Sequence, residues 1–203
     1  MIAKHLLFKS ISIVVGCFSF YVASAQSGEV NWLKNNHSNN PTAYWKHVDE
    51  TVYPIALAAP LAVLVKGYIK KDKTVKDKGW HLASTLVVNT AVTQGIKYAI
   101  NRQRPYEKYP TLIFPYDNIE KGKSFPSGHT STAFSTATAL TMDFKKWYVV
   151  VPAYAWAGSV GFARLKKGEH YPSDVIAGAA VGAGSALLSK WLNKQLFQPK
   201  KKL

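Results

Sequence analysis

Five alanine-rich apolar stretches, none of them alternating with period two, constrain this chain more than any other feature. They run over 53–65, 81–96, 129–142, 147–163 and 175–189, with short polar segments between them. A half-buried strand alternates apolar and polar residues and favours β-branched and aromatic side chains. Alanine loses no side-chain entropy in a helix. The pattern predicts an all-α chain, a helical bundle of five to six helices, the sixth being an apolar run near the N-terminus. With 203 residues there is room for one domain with a sizeable core. Cys17 is the only cysteine, so the chain has no intrachain disulfide and no thiolate metal cluster.

Residues 1–25 have the make-up of a signal peptide or of a first transmembrane helix. Lys4, His5 and Lys9 precede an apolar run, and Ala23-Ser24-Ala25 offers a small-x-small cleavage site. Cys17, in VVGC, adds a third reading, lipid attachment at a bacterial lipoprotein box. All three send the following residue out of the cytoplasm. Residues 26–52 then form a polar and aromatic periplasmic segment, with 44–54 as an interfacial helix leading into the first core segment. The main domain covers 53–192, and 193–203 is a basic C-terminal tail.

A membrane span needs about 20 residues, and the run over 147–163 comes close without a charge. The other runs reach that length only with flanking Lys, Trp or Tyr, which snorkel or sit at an interface. Lysine placement is an independent test. If the chain crosses the membrane alternately after an exported start, the lysine-rich segments 70–80, 143–147 and the tail fall in the cytoplasm, as the positive-inside rule requires. The same count puts 97–128 and 164–174 on the periplasmic side. Small residues in AGAAVGAG, 177–184, allow close helix approach in lipid, and also in a tight soluble bundle. A mean hydropathy of −0.08 keeps the soluble alternative open. A net charge of +15 favours anionic partners. Nucleic acid is not one of them: the lysines lie in short scattered clusters, without zinc-finger spacing or an aromatic RNA-binding signature.

Three polar clusters break the apolar pattern, each at the end of a predicted helix. In KYAINRQRP, six residues separate Lys97 from Arg104-Pro105. In FPSGHT, Ser127, Gly128 and His129 open the third helix. In RLKKGEHYPSD, Arg164 is followed by His170 and Asp174, the last two four residues apart. Singly, each has an ordinary role: Lys97 snorkels, Ser127 caps a helix, Asp174 caps another. Gathered on one side of a bundle, they make a cage for a phosphoryl group. A helix N-terminus offers free N–H groups and a partial positive charge, arginine a planar fork, and lysine a point charge. Two histidines divide the chemistry, one neutral to attack phosphorus and one protonated to serve the leaving oxygen. Asp174, one turn from His170, is placed to orient that ring and steady its cation. On this reading Arg164 holds the phosphate, His170 attacks it and Asp174 orients His170.

These clusters resemble the signature of the type 2 phosphatidic acid phosphatase (PAP2) superfamily: Lys-x6-Arg-Pro, Pro-Ser-Gly-His, then Ser-Arg-x5-His-x3-Asp. Ala163 is the one departure, standing where the pattern has serine, and the resemblance covers roughly 53–192. It implies that Lys97, Arg104 and Arg164 bind phosphate, assisted by Ser127 and the Gly128 backbone. It makes His129 the general acid and His170, oriented by Asp174, the residue that becomes a phosphohistidine. It implies no metal and no cofactor. It points to a membrane-spanning bundle with the active site at the periplasmic ends of the core helices, surrounded by membrane lipids. The substrate class implied is a phosphorylated lipid: phosphatidate, phosphatidylglycerol phosphate, undecaprenyl diphosphate or lipid A. The family also contains soluble periplasmic acid phosphatases, the alternative here, and vanadate-dependent haloperoxidases. A non-catalytic anion-binding membrane protein is a fourth reading. Arg102, Lys121, Lys123, Lys166 and Lys167 flank the motifs, as contacts for a polyanionic headgroup or as a solvated rim.

Overall fold

The computed structural model describes residues 28–38, 43–114 and 122–197. Residues 1–25, with the expected leader and Cys17, lie outside these, as does Lys121. Among the described residues there are helices and no strand. They are α1 (28–36), α2 (Ala43–Glu50), α3 (Val52–Ile69), α4 (Lys73–Ile100), α5 (Pro105–Lys108), α6 (Gly128–Phe144), α7 (Trp147–Lys166) and α8 (Pro172–Phe197). All five predicted core helices are present, each longer than its apolar run.

The lengthening has local causes. The stretch 70–80, expected as a lysine-rich loop, is mostly helix, and only 70–72 turns. The Asp72 side chain accepts from the Thr74 and Val75 N–H groups at 2.8 and 3.2 Å, starting α4 at Lys73. Lys73 then pairs with Asp77 one turn on, at 2.9 Å. Asn101 ends α4 in the left-handed conformation. Asp143 and Phe144, expected in a loop, complete α6. Helix α8 runs past residue 193 to Phe197.

The five long helices run up and down. The end of α4 meets the starts of α3, α6 and α8 and the end of α7 at one pole. The turns 70–72 and 145–146 lie at the other. Helix α6 is central, packed on α3, α4, α7 and α8. Its closest approach is to α8, where a Cβ on Gly178 would stand 2.7 Å from the Ser127 carbonyl oxygen. A Cβ on Gly182 would collide with the Ser131 carbonyl oxygen one turn further along. The AGAAVGAG stretch thus serves backbone-to-backbone packing.

The motif pole carries a cap that the sequence left as a polar segment. Val30 and Leu33 of α1 bury against Tyr106 of α5, Ile113 and Tyr171. Helix α2 lies on α7 and leads into α3 at Thr51. Around the waist the bundle exposes large apolar side chains, among them Leu57, Leu61, Val65, Val87, Val151 and Leu187. Tyr44, Tyr53 and Tyr98 are exposed toward the motif pole, and Tyr68, Trp80, Trp147 and Trp191 toward the other. Apolar waist and aromatic rims together are the surface of a helix bundle seated in a bilayer. Among the described residues two helices, Val52–Ile69 and Pro172–Gln195, are long and apolar enough to cross it.

Candidate active site

A cavity of about 430 Å³ opens at the motif pole. Lys97, Arg104, Gly128, His129 and His170 line it, drawn from all three sequence clusters, with Tyr53, Gln94 and Tyr98 beside them. Lys97 arrives from the last turn of α4 and donates to the Lys123 carbonyl at 2.6 Å. Arg104 precedes α5; its Nε donates to the Gly122 carbonyl at 3.2 Å and its Nη1 to that of Glu169 at 3.3 Å. His129, half-buried on the first turn of α6, meets the Tyr53 ring edge to face with centroids 5.0 Å apart. A Cβ on Gly128 would lie 3.8 Å from Lys97 Cε, so a side chain there would fill cavity space rather than strain the backbone.

His170 and Asp174 are almost wholly buried at the α8 entrance. His170 Nδ1 faces Asp174 Oδ2 at 3.4 Å, which turns the other edge of the ring toward the cavity. Asp174 is itself tightly held. Arg102 Nη1 donates to its Oδ1 at 2.6 Å, and the Ser124 hydroxyl and the Tyr171 N–H both donate to its Oδ2. Arg102 in turn reaches Glu29 of α1 at 2.8 Å and sits over the Tyr171 ring, its Cζ 3.8 Å from the centroid. A relay of polar contacts runs from Glu29 through Arg102 and Asp174 to His170.

Two predicted phosphate ligands stand elsewhere. Ser127 is fully buried as the N-cap of α6; its hydroxyl bonds Thr130 Oγ1 at 2.9 Å and its N–H donates to the Asp174 carbonyl at 3.0 Å. It ties α6 to α8 and does not line the cavity. Arg164 is also fully buried and absent from the cavity wall. Its guanidinium bonds Asp49 of α2 at 2.7 Å and contacts Glu169. Lys167 joins the cluster, 2.7 Å from Asp49 and 2.9 Å from Glu169, and Glu169 also comes within 3.7 Å of Arg104. Burial pushes the Asp49 carboxyl up, but Arg164, His129 and Lys167 outweigh it and hold it below the usual carboxylate range. Burial lowers Lys167 less than Glu169 and Asp49 raise it, so its ammonium titrates above the ordinary lysine value.

The sequence reading therefore missed Asp49, Glu169, Ser124 and Glu29, and it misplaced Arg102 and Lys167. Those two, expected at a headgroup or on a solvated rim, are buried in ion pairs. A signal was available: with 11 Asp+Glu against 26 Lys+Arg, each acid beside a motif arginine is a candidate partner. Lys166 donates to the Asn36 carbonyl at 2.8 Å, and Lys123 is exposed at the cavity edge.

A helical bundle with these three motifs at one pole defines a family, and the chain belongs to the PAP2 superfamily, whose model matches residues 78–198. It is 37% identical over 115 residues to a lipid A 1-phosphatase of Rhizobium johnstonii, covering 55% of this chain and 46% of that protein. A lipid A 1-phosphatase of Porphyromonas gingivalis is 28% identical over 154 residues, covering 74% of this chain and 32% of the relative. The chain thus spans less than half the length of these two curated relatives. The crystal structure of a transmembrane PAP2 type phosphatidylglycerolphosphate phosphatase from Bacillus subtilis superposes with a TM-score of 0.66 at 20% identity. The match covers 94% of this chain and 98% of that one.

Proposed function

We propose that the protein is a membrane-embedded phosphatase that cleaves a phosphate from a phosphorylated lipid, at the periplasmic face of a bacterial inner membrane. One observation carries this reading: Lys97 and Arg104 of the first motif, His129 of the second and His170 of the third line a single cavity at the pole of a bundle with an apolar waist. A lipid lying in the bilayer can present its headgroup there without leaving the membrane. The lysine-rich turns at the far pole support a cytoplasmic position for that pole, with the cavity on the other side.

In the mechanism, Lys97 and Arg104 bind the phosphate oxygens, and the N-terminus of α6 adds to the positive field. Arg164 either supports Arg104 through Glu169 or swings to the phosphate when substrate displaces that carboxylate. His170, with Nδ1 held by Asp174, attacks phosphorus through Nε2. An N–P bond forms and the P–O bond to the lipid breaks, while protonated His129 gives its proton to the leaving oxygen. His129, now neutral, takes a proton from water; the water oxygen bonds phosphorus, the N–P bond breaks and inorganic phosphate departs. Among substrates, a lipid A phosphate comes first, because the relatives that support the reading are named for that activity. Undecaprenyl diphosphate, phosphatidate and phosphatidylglycerol phosphate follow.

The test is phosphate release by purified protein in detergent micelles, wild type beside His170→Ala. Substrates are lipid A, undecaprenyl diphosphate, phosphatidate and water-soluble p-nitrophenyl phosphate. Turnover of a lipid that vanishes in the variant is expected. Activity mainly on the soluble ester would favour a broad-specificity acid phosphatase instead. Release that survives His170→Ala would place the nucleophile elsewhere.

A further inference from the structure

A second cavity, about 810 Å³, opens at the pole opposite the histidines, between the first turns of α4, the end of α6 and the last turns of α8. Lys97 of the first cavity and Lys78 of the second share α4 and lie nineteen residues apart. At about 1.5 Å per residue that is roughly 28 Å, close to the ~30 Å hydrocarbon thickness of a bilayer. The two cavities therefore open at opposite membrane faces.

The second cavity has a built polar floor. His81 and Asp143, both almost wholly buried, share a hydrogen bond of 2.7 Å, and the other ring nitrogen of His81 lies 3.2 Å from the Ala186 carbonyl. Ser84, Ser189 and Asn193 close the seam between α4 and α8 with bonds of 2.8 Å. Four lysines stand around this floor. Lys73 pairs with Asp77 and Lys190 with Asp143. Lys78 and Lys194 have no carboxylate partner among the described residues; the Lys78 ammonium lies over the Phe144 ring at 4.9 Å. The cationic excess is thus two charges, held at the level where headgroups lie. Trp80, on the cavity wall, is exposed, and Val87 two turns along the same face of α4 is exposed as well. That stripe leads from the lysines into the apolar waist.

We propose that this cavity is a binding site for an anionic phospholipid, its phosphodiester between Lys78 and Lys194 and its acyl chains along Trp80 and Val87. The occupant is amphiphilic, because the charged mouth continues into lipid-facing surface rather than closing over. The inference rests on the membrane placement of the bundle and not on the catalytic reading.

The experiment titrates delipidated full-length protein in detergent with phosphatidylglycerol, phosphatidylcholine or water-soluble glycerol phosphate. Bound lipid is counted by native mass spectrometry, and melting temperature is followed in parallel. One tightly retained phosphatidylglycerol is expected, with at least tenfold weaker binding in K78Q/K194Q. The control K70Q/K71Q, changed at exposed lysines of the same pole, should bind as wild type does. Equal loss in both double variants would mean diffuse attraction to a basic surface and would overturn the site. So would equal retention of phosphatidylcholine, or saturation by glycerol phosphate at matched concentration. The melting temperature in phosphatidylcholine verifies that K78Q/K194Q is folded; should it not be, the single variants K78Q and K194Q carry the same comparison.

Discussion

Replacing Arg102 tests the relay behind the histidine most directly. Arg102→Met keeps the length of the stem against Tyr171 while removing the guanidinium that holds Asp174 and Glu29, whose side chains are 0% and 12% exposed. Unpairing a buried ion pair costs about 3–5 kcal/mol, because the carboxylate left behind has neither water nor a cation. For a chain of this size each kcal/mol moves the melting temperature by about 2–4 °C. The expected drop is therefore on the order of 6–20 °C. It would be read by calorimetry in one detergent at pH 7. Activity should fall through kcat more than through KM, since Asp174 loses an anchor while Lys97 and Arg104 stay in place. Arg102→Met combined with Asp174→Asn should be clearly less destabilised than the two single losses added, because no unpaired carboxylate then remains at Asp174. A single variant melting within about 2 °C of wild type, or strict additivity in the double, would refute the relay.

Three further outcomes follow from the same geometry. In the buried cluster, Arg104, Arg164 and Lys167 face Asp49 and Glu169. Glu169→Gln raises its net charge from +1 to +2, and one unit charge at about 10 Å and effective ε of ~20 is worth roughly 1.7 kcal/mol. Inorganic phosphate should inhibit E169Q at about tenfold lower concentration; unchanged inhibition would show that Glu169 does not oppose substrate. Asp49 has a depressed folded pKa, so its pairing stabilises fully above the unfolded value near 4 and is lost as pH falls through the folded one. Wild type and Asp49→Asn should differ in melting temperature at pH 6, and the gap should narrow as pH falls below about 4; a constant gap would sink the assignment. His129→Ala should slow cleavage of alkyl phosphates far more than of p-nitrophenyl phosphate, whose leaving group departs without a proton. Equal losses on both esters would deny His129 the role of acid.

Local patterns in the chain dictate the helices and the chemistry at their ends. Helical patterning and Asx and Ser caps are local, acting over a few residues, so α3, α4, α6, α7 and α8 were legible together with the pole where Lys97, Arg104, His129 and His170 meet. Spacing of one turn likewise put Asp174 beside His170. Which charge neutralises which is settled by packing between distant segments. Arg164 meets Asp49 across 115 positions of chain, and Arg102 meets Glu29 across 73. No periodicity carries such pairings. They arise because α1 and α2, polar segments without a core run of their own, fold over the motif pole and carry Glu29 and Asp49 into contact with its excess of cations. Once water is excluded, a charge must find a partner wherever packing provides one, and that choice is made by the whole bundle rather than by any stretch of chain.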